Sequence, residues 1–204
     1  NPDGLKLKDV SNVILHSHTP YTQGLVRAPE IPEFTLCPSS QTGLGALHWM
    51  LNAELASRLK TPGAKPGQVG LQYLDTLVNR IKRIATHRDR IRETAVEMTR
   101  RIRRGGRWFV RAAAHKGLVS EMEHVASGAM IVNWGDWSAK PRNNVLLVST
   151  ITPNHSKETK AAQKARSEGA LVIGIGPKTL DGKTPRDGLF SHCHVTLENF
   201  SPES

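Results

Sequence analysis

The residues best suited to chemistry in this chain of 204 residues sit in short polar loops that follow apolar runs. Ser149-Thr150-Ile151-Thr152-Pro153-Asn154-His155-Ser156 comes after Val145-Leu146-Leu147-Val148 and before a helical stretch. Hydroxyls, backbone N–H groups and the positive end of a helix dipole together suit a phosphate. The same Ser and Thr residues serve equally well as helix caps. A second loop, Ala112 to Gly117, follows Trp108-Phe109-Val110 and carries His115 and Lys116 at its tip. His16 with His18, and His192 with His194, alternate at strand spacing, which puts each pair on one side. Such pairs suit zinc, but no third ligand is spaced with them, so no metal site is assigned. Gly174-Ile175-Gly176 lacks the rest of a dinucleotide fingerprint, and no cofactor is assigned.

The elements that must position these loops alternate in type. Ser11 to His16 contains Val13-Ile14-Leu15, which fits a short buried strand, and a proline-rich loop follows with Pro20, Pro29, Pro32 and Pro38. Ser39 to Thr42 supply cap residues ahead of a helix from about Gly43 to Leu59. The Pro- and Gly-rich segment 61–70 is a linker. From Gln72 to Arg104 the apolar residues recur every three or four positions, which predicts a long helix interrupted near Arg88 and stopped by Gly105 and Gly106. Trp108 to Val110, Met130 to Val132, Val145 to Val148 and Leu171 to Ile175 read as strands. Helices are predicted from Leu118 to Ala126 and up to Glu168. Strands alternating with helices predict a parallel sheet covered on both faces, with ligands at the carboxyl ends of the strands.

Composition sets outer limits. Apolar residues are 38% of the chain and mean hydropathy is −0.39, as in globular proteins. No apolar run approaches the length of about 18 residues that spans a bilayer. Two distant cysteines, Cys37 and Cys193, make no disulfide framework and read as reduced thiols of a cytoplasmic protein. The chain begins at Asn1, which reads as a processed product or an excised piece. The net charge of +10 draws on 11 Lys and Arg residues between Arg80 and Arg107. An anionic ligand, nucleic acid, or a well-solvated helix face would each account for them.

Gly105-Gly106-Arg107-Trp108-Phe109-Val110-Arg111 with the turn Ala112 to Leu118 resembles the opening of a sugar isomerase (SIS) domain, as in the phosphoheptose isomerase-like proteins. Asn144 to Thr152 is similar to the second strand of that family and its Ser-rich phosphate loop, and Ala165 to Ile175 to the helix end and strand that follow. The resemblance covers about half the chain. It departs where Ala112 and Ala114 replace glycine, where Lys116 replaces serine, and where Thr152-Pro153 replaces Ser-Gly. Pro153 removes an N–H that could meet a phosphate oxygen. The resemblance implies a three-layer αβα sandwich with a mainly parallel sheet, flavodoxin- or Rossmann-like, and a sugar phosphate as ligand. Under it, His115, Lys116, Ser149, Thr150 and Thr152 would hold the substrate. Glu121 or His124, on the helix after the first loop, would be the base of an aldose–ketose isomerase.

Residues 11–59 resemble the end of a SIS domain, with Ser39, Ser40 and Thr42 in the last ligand loop. Short echoes near the other end, Asp187-Gly188-Leu189 and Val195-Thr196-Leu197, suggest either a piece of a tandem pair or a permuted single domain. The expected organisation is 1–60, the end of a SIS domain; 61–70, a linker; and 71–204, a SIS core. Three functions remain open at this level: an isomerase, a non-catalytic sugar-phosphate sensor, and a basic module for RNA or another polyanion. The long apolar stripe from Gln72 to Arg104 predicts a homo-oligomer, and no membrane partner is expected.

Overall fold

The computed structural model describes residues 6–18, 24–27, 29, 30, 32, 35–38, 40–113, 119, 131–133, 137 and 141–200. The chain forms two compact units, Asn1–Thr76 and Leu77–Ser204.

The first unit opens with one helical turn, α1 (Leu7–Val10), where Asp9 accepts the Lys6 N–H at 2.9 Å. Val13, Ile14 and Leu15 are exposed and irregular, so the strand expected there does not form. Three apolar residues without a strand to pair with gain nothing from extension, because a strand needs ladder bonds as well as apolar side chains. The proline-rich stretch instead carries an antiparallel hairpin, β1 (Gly24–Arg27) with β2 (Thr35–Pro38). Pro38 closes the edge of that hairpin, a position where a missing N–H is tolerated. Helix α2 (Ser40–Lys60) follows, then α3, which starts at Gln68 and runs to Ala85. The Glu54 carboxylate of α2 accepts the Gly70 N–H at 2.7 Å and the Gly67 N–H at 3.1 Å. It thereby caps α3 from outside. Those amide bonds, Gly70 first, hold its carboxyl below the usual range against a smaller opposing effect of burial.

The second unit contains the last part of α3, then α4 (Arg88–Arg103), so the interruption near Arg88 is a break between two helices. Five parallel strands follow: β3 (Trp108–Arg111), β4 (Ile131–Asn133), β5 (Val145–Ser149), β6 (Leu171–Gly176) and β7 (Val195–Glu198). Their spatial order is β4-β3-β5-β6-β7. Helix α5 (Ser156–Ser167) connects β5 to β6. The turn at its end holds Gly169 at φ 87°, a left-handed position that glycine takes without steric cost.

Both faces of the sheet are covered. On one face Phe109, Leu146, Val148 and Val172 pack with Ala162 and Ala165 of α5 and with Leu189 and Cys193. On the other, Val110, Val145, Leu147, Leu171 and Ile173 lie with Met98 of α4 packed against them. This is the α/β sandwich with a parallel sheet that the alternation of elements predicts. Full burial of side chains such as Phe109, Leu146 and Ile173 stabilises the unit by about 1.5–3 kcal/mol each. Burial pushes the Cys193 thiol up to about 12, with nearby Arg166 opposing the shift.

Among the described residues no helix is long and apolar enough to cross a membrane.

Candidate functional site

The chain enters the sheet at β3, steps outward to β4, then reverses past β3 to β5 and onward. The reversal point lies between β3 and β5, which pair from Trp108↔Val145 to Arg111↔Val148. Loops leaving the carboxyl ends of two strands diverge at such a point, one passing to each face of the sheet, and leave a crevice between them. Here those loops begin at Ala112 and at Thr150, and the second one ends at the N-terminus of α5.

The loop after β5 is held in one shape by its own hydroxyl. Thr150 is fully buried, and its Oγ1 donates to the Thr152 carbonyl at 2.6 Å. The same oxygen accepts the Thr152 N–H at 3.3 Å, and the Thr150 N–H bonds Ile175 O at 3.0 Å. A Cβ at Gly176 would lie 2.7 Å from Thr150 Cγ2 and 2.9 Å from its carbonyl, so β6 must end in glycine for this loop to settle. Ser149 is buried, while Thr152 is half-buried. Pro153 is buried and its carbonyl accepts the Leu189 N–H at 2.7 Å.

Beneath the loop lies Glu158, in the first turn of α5 and completely buried. Its Oε1 accepts the Ala113 N–H at 2.6 Å, which ties the start of the β3 loop to α5. Its Oε2 lies against His155 Nδ1. His155 is the N-cap of α5, yet its side chain makes no bond to the helix N–H groups. Arg111 ends β3 at the same crevice and is half-buried.

Of the residues singled out in the sequence, Ser149, Thr150 and Thr152 gather at the carboxyl end of β5. Ser40 and Thr42 belong to the first turn of α2 in the other unit. Ser39, His115, Lys116, Glu121 and His124 lie outside the described residues, as does the helix expected from Leu118 to Ala126 except for Val119, which is helical. Glu158 escaped the sequence reading because Ser156-Lys157-Glu158 looks like an ordinary solvated first turn with an acid favourable to the dipole. Nothing local signals that an amide 45 positions away draws this carboxylate inward.

The histidine pairs have separate fates. His16 and His18 have ring centroids 6.3 Å apart in the first unit. His194 serves the sheet: its Nδ1 accepts the Val172 N–H at 3.1 Å while its own N–H bonds Val172 O at 2.8 Å. Burial, and secondarily the cations Arg166 and Arg101, lower its pKa, in keeping with an acceptor nitrogen that must stay unprotonated. Among the described residues no three His, Cys, Asp or Glu side chains gather as a metal set. Arg101 instead organises the amino end of the sheet, bonding the Arg142 carbonyl at 2.8 Å and Gly169 O at 3.0 Å while pairing with Glu97. That pairing, then Arg100, lowers the Glu97 carboxyl despite partial burial.

No protein-family model and no curated protein matches the chain. Among solved structures, a crystal structure of an hypothetical protein is 16% identical, with a TM-score of 0.34, over 60% of this chain and 67% of its own. Similarity at that level assigns neither family nor activity. The fold defines the class: an α/β sandwich with a parallel sheet and a hydroxyl-rich loop at its strand-order reversal.

Proposed function

We propose that this chain binds sugar phosphates as a SIS-type protein and interconverts aldose and ketose forms. The observation that carries this reading is the position of Ser149-Thr150-Ile151-Thr152, at the reversal between β3 and β5 and directly before the N-terminus of α5. The first N–H groups of a helix have no partner within it and favour an anion. The internal bonds of Thr150 fix the loop around that end of α5 before any ligand arrives. Thermal-shift measurements with pentose, hexose and heptose phosphates test the reading. Stabilisation by the phosphates and none by the free sugars is expected; equal responses, or no response to either, overturn it.

Self-association belongs to the same proposal. On α3, Val78, Ile81 and Ile84 are 40%, 51% and 38% exposed, on a helix with a strongly one-sided apolar pattern. Sedimentation at micromolar concentration should give a dimer or larger species, and a clean monomer overturns this part.

A second reading has its own observation. Arg92, Arg100, Arg103 and Arg104 of α4 and the residue after it surround exposed Ala95, Val96 and Thr99 along a shallow groove of about 580 Å³. An arginine row of this kind suits a polyanion such as RNA. Fluorescence polarisation with a short RNA should then fall steeply with salt, and the double variant Arg92→Glu with Arg103→Glu should abolish binding. Salt-independent or absent binding removes this reading.

A further inference from the structure

The crevice holds two side chains that phosphate binding alone leaves without a task. A carboxylate is almost never fully buried without strong partners, and Glu158 is fully buried. One of its oxygens is taken by the Ala113 N–H. The other lies against His155 Nδ1. Both of those atoms are buried, neither makes a regular hydrogen bond among the described residues, and the contact between them is the close polar contact the structure gives each. The His155 side chain nevertheless remains 31% exposed. One ring nitrogen is thus held on a buried acid while the rest of the imidazole reaches the surface beside the hydroxyl loop.

That arrangement has a chemical consequence. A carboxylate accepts a proton bond, so it selects the tautomer with hydrogen on Nδ1 and leaves Nε2 as a bare acceptor. A buried acid that orients an accessible imidazole is an arrangement that lets histidine serve as a general base. Capping does not account for it. The His155 side chain caps nothing, and Glu158 turns away from its own helix N-terminus to another loop.

We propose that His155 is the proton-transfer group of this crevice and that Glu158 is its positioning residue. The proposal rests on the sugar-phosphate reading above and names the group that would act there. His155 Nε2 takes the proton from C2 of the bound aldose phosphate. The electrons of that C–H bond form the C1–C2 double bond, and the C1 carbonyl π pair moves onto O1, which is protonated through water. The imidazolium then returns its proton to C1. The O2 proton leaves to water, and the C2 carbonyl forms. One hydrogen has moved from C2 to C1 and one from O2 to O1, with no oxidant or reductant.

Two measurements on the full chain test this. The first is the tautomer of His155, read from imidazole ¹⁵N shifts and assigned with His155→Gln. Wild type should show hydrogen on Nδ1. Glu158→Gln should shift the ring toward the ordinary Nε2–H form, and Glu158→Asp should restore the Nδ1–H form at least in part. An Nε2–H ring in wild type, or indifference to Glu158→Gln, overturns the pairing. The second is deuterium exchange into C1 and C2 of a panel of aldose phosphates in D₂O, with binding followed by thermal shift. His155→Gln should lower exchange about 10²–10⁴-fold while leaving affinity within a small factor. Binding without exchange in wild type, or exchange that survives His155→Gln, overturns the catalytic proposal and leaves the binding reading standing. No binding by any sugar phosphate overturns both.

Discussion

Two helix N-termini in this molecule meet a glutamate, and they meet it in opposite ways. Glu54 comes to α3 from another helix and lays its carboxylate across the Gly67 and Gly70 amides. Glu158 belongs to α5 itself, yet it turns inward to the Ala113 amide and to His155. The first carboxylate completes its helix; the second braces a crevice and leaves the start of its own helix to other acceptors. A helix N-terminus attracts anions in general. Whether a protein fills that place itself or keeps it accessible depends on where the nearest carboxylate is anchored.

Breaking the crevice should cost most. Gly176→Ala drives a Cβ into Thr150, including its carbonyl. Overpacking against backbone should destabilise the second unit by about 3 kcal/mol and remove any thermal response to sugar phosphates. Chemical denaturation with and without ligand checks both. Glu158→Ala should come next, at about 2 kcal/mol, because it empties the space of a completely buried side chain and removes the acceptor of the Ala113 N–H. Glu54→Ala should lower the melting temperature less than Glu158→Ala does, since Glu54 is only half-buried and water can replace its carboxylate at the exposed Gly67 N–H. A larger loss from Glu54→Ala would reverse the comparison.

The smallest effect is one of pH. The Glu54 carboxyl is lowered in the folded chain, chiefly by the Gly70 N–H. A lowered carboxyl binds fewer protons folded than unfolded, so its contribution is fully present above the ordinary carboxylate value near ~4.3 and is lost as pH falls through the folded value. Amide exchange at Gly67 and Gly70 should therefore quicken, relative to intrinsic rates, as pH falls below the ordinary carboxylate value. Glu54→Gln should flatten that dependence. Unchanged protection over that fall in pH would show that other groups hold the start of α3.

Much of the scaffold was legible. Val145 to Val148 and Leu171 to Ile175 are continuous apolar runs, and such runs between helical patterns mean strands buried on both faces, as β5 and β6 are. Gly169 marked the end of α5 because a left-handed residue there is nearly always glycine. The same logic failed for Val13-Ile14-Leu15, whose composition suits a strand but which remains exposed. It also missed the hairpin of β1 and β2, where proline content pointed to loop. Strand formation depends on a partner that the local sequence does not name.

By itself the sequence determined the apolar period of α3 and α4, the apolar runs of the sheet and the hydroxyls of Ser149, Thr150 and Thr152, because these follow from residue type and spacing. The tertiary structure decided the strand order, and with it the crevice between β3 and β5. It also decided that Glu158 would be buried against an amide 45 residues away and paired with His155. Such contacts depend on how the chain returns on itself. Local propensity acts over a turn or a strand and cannot specify which distant amide a carboxylate will meet.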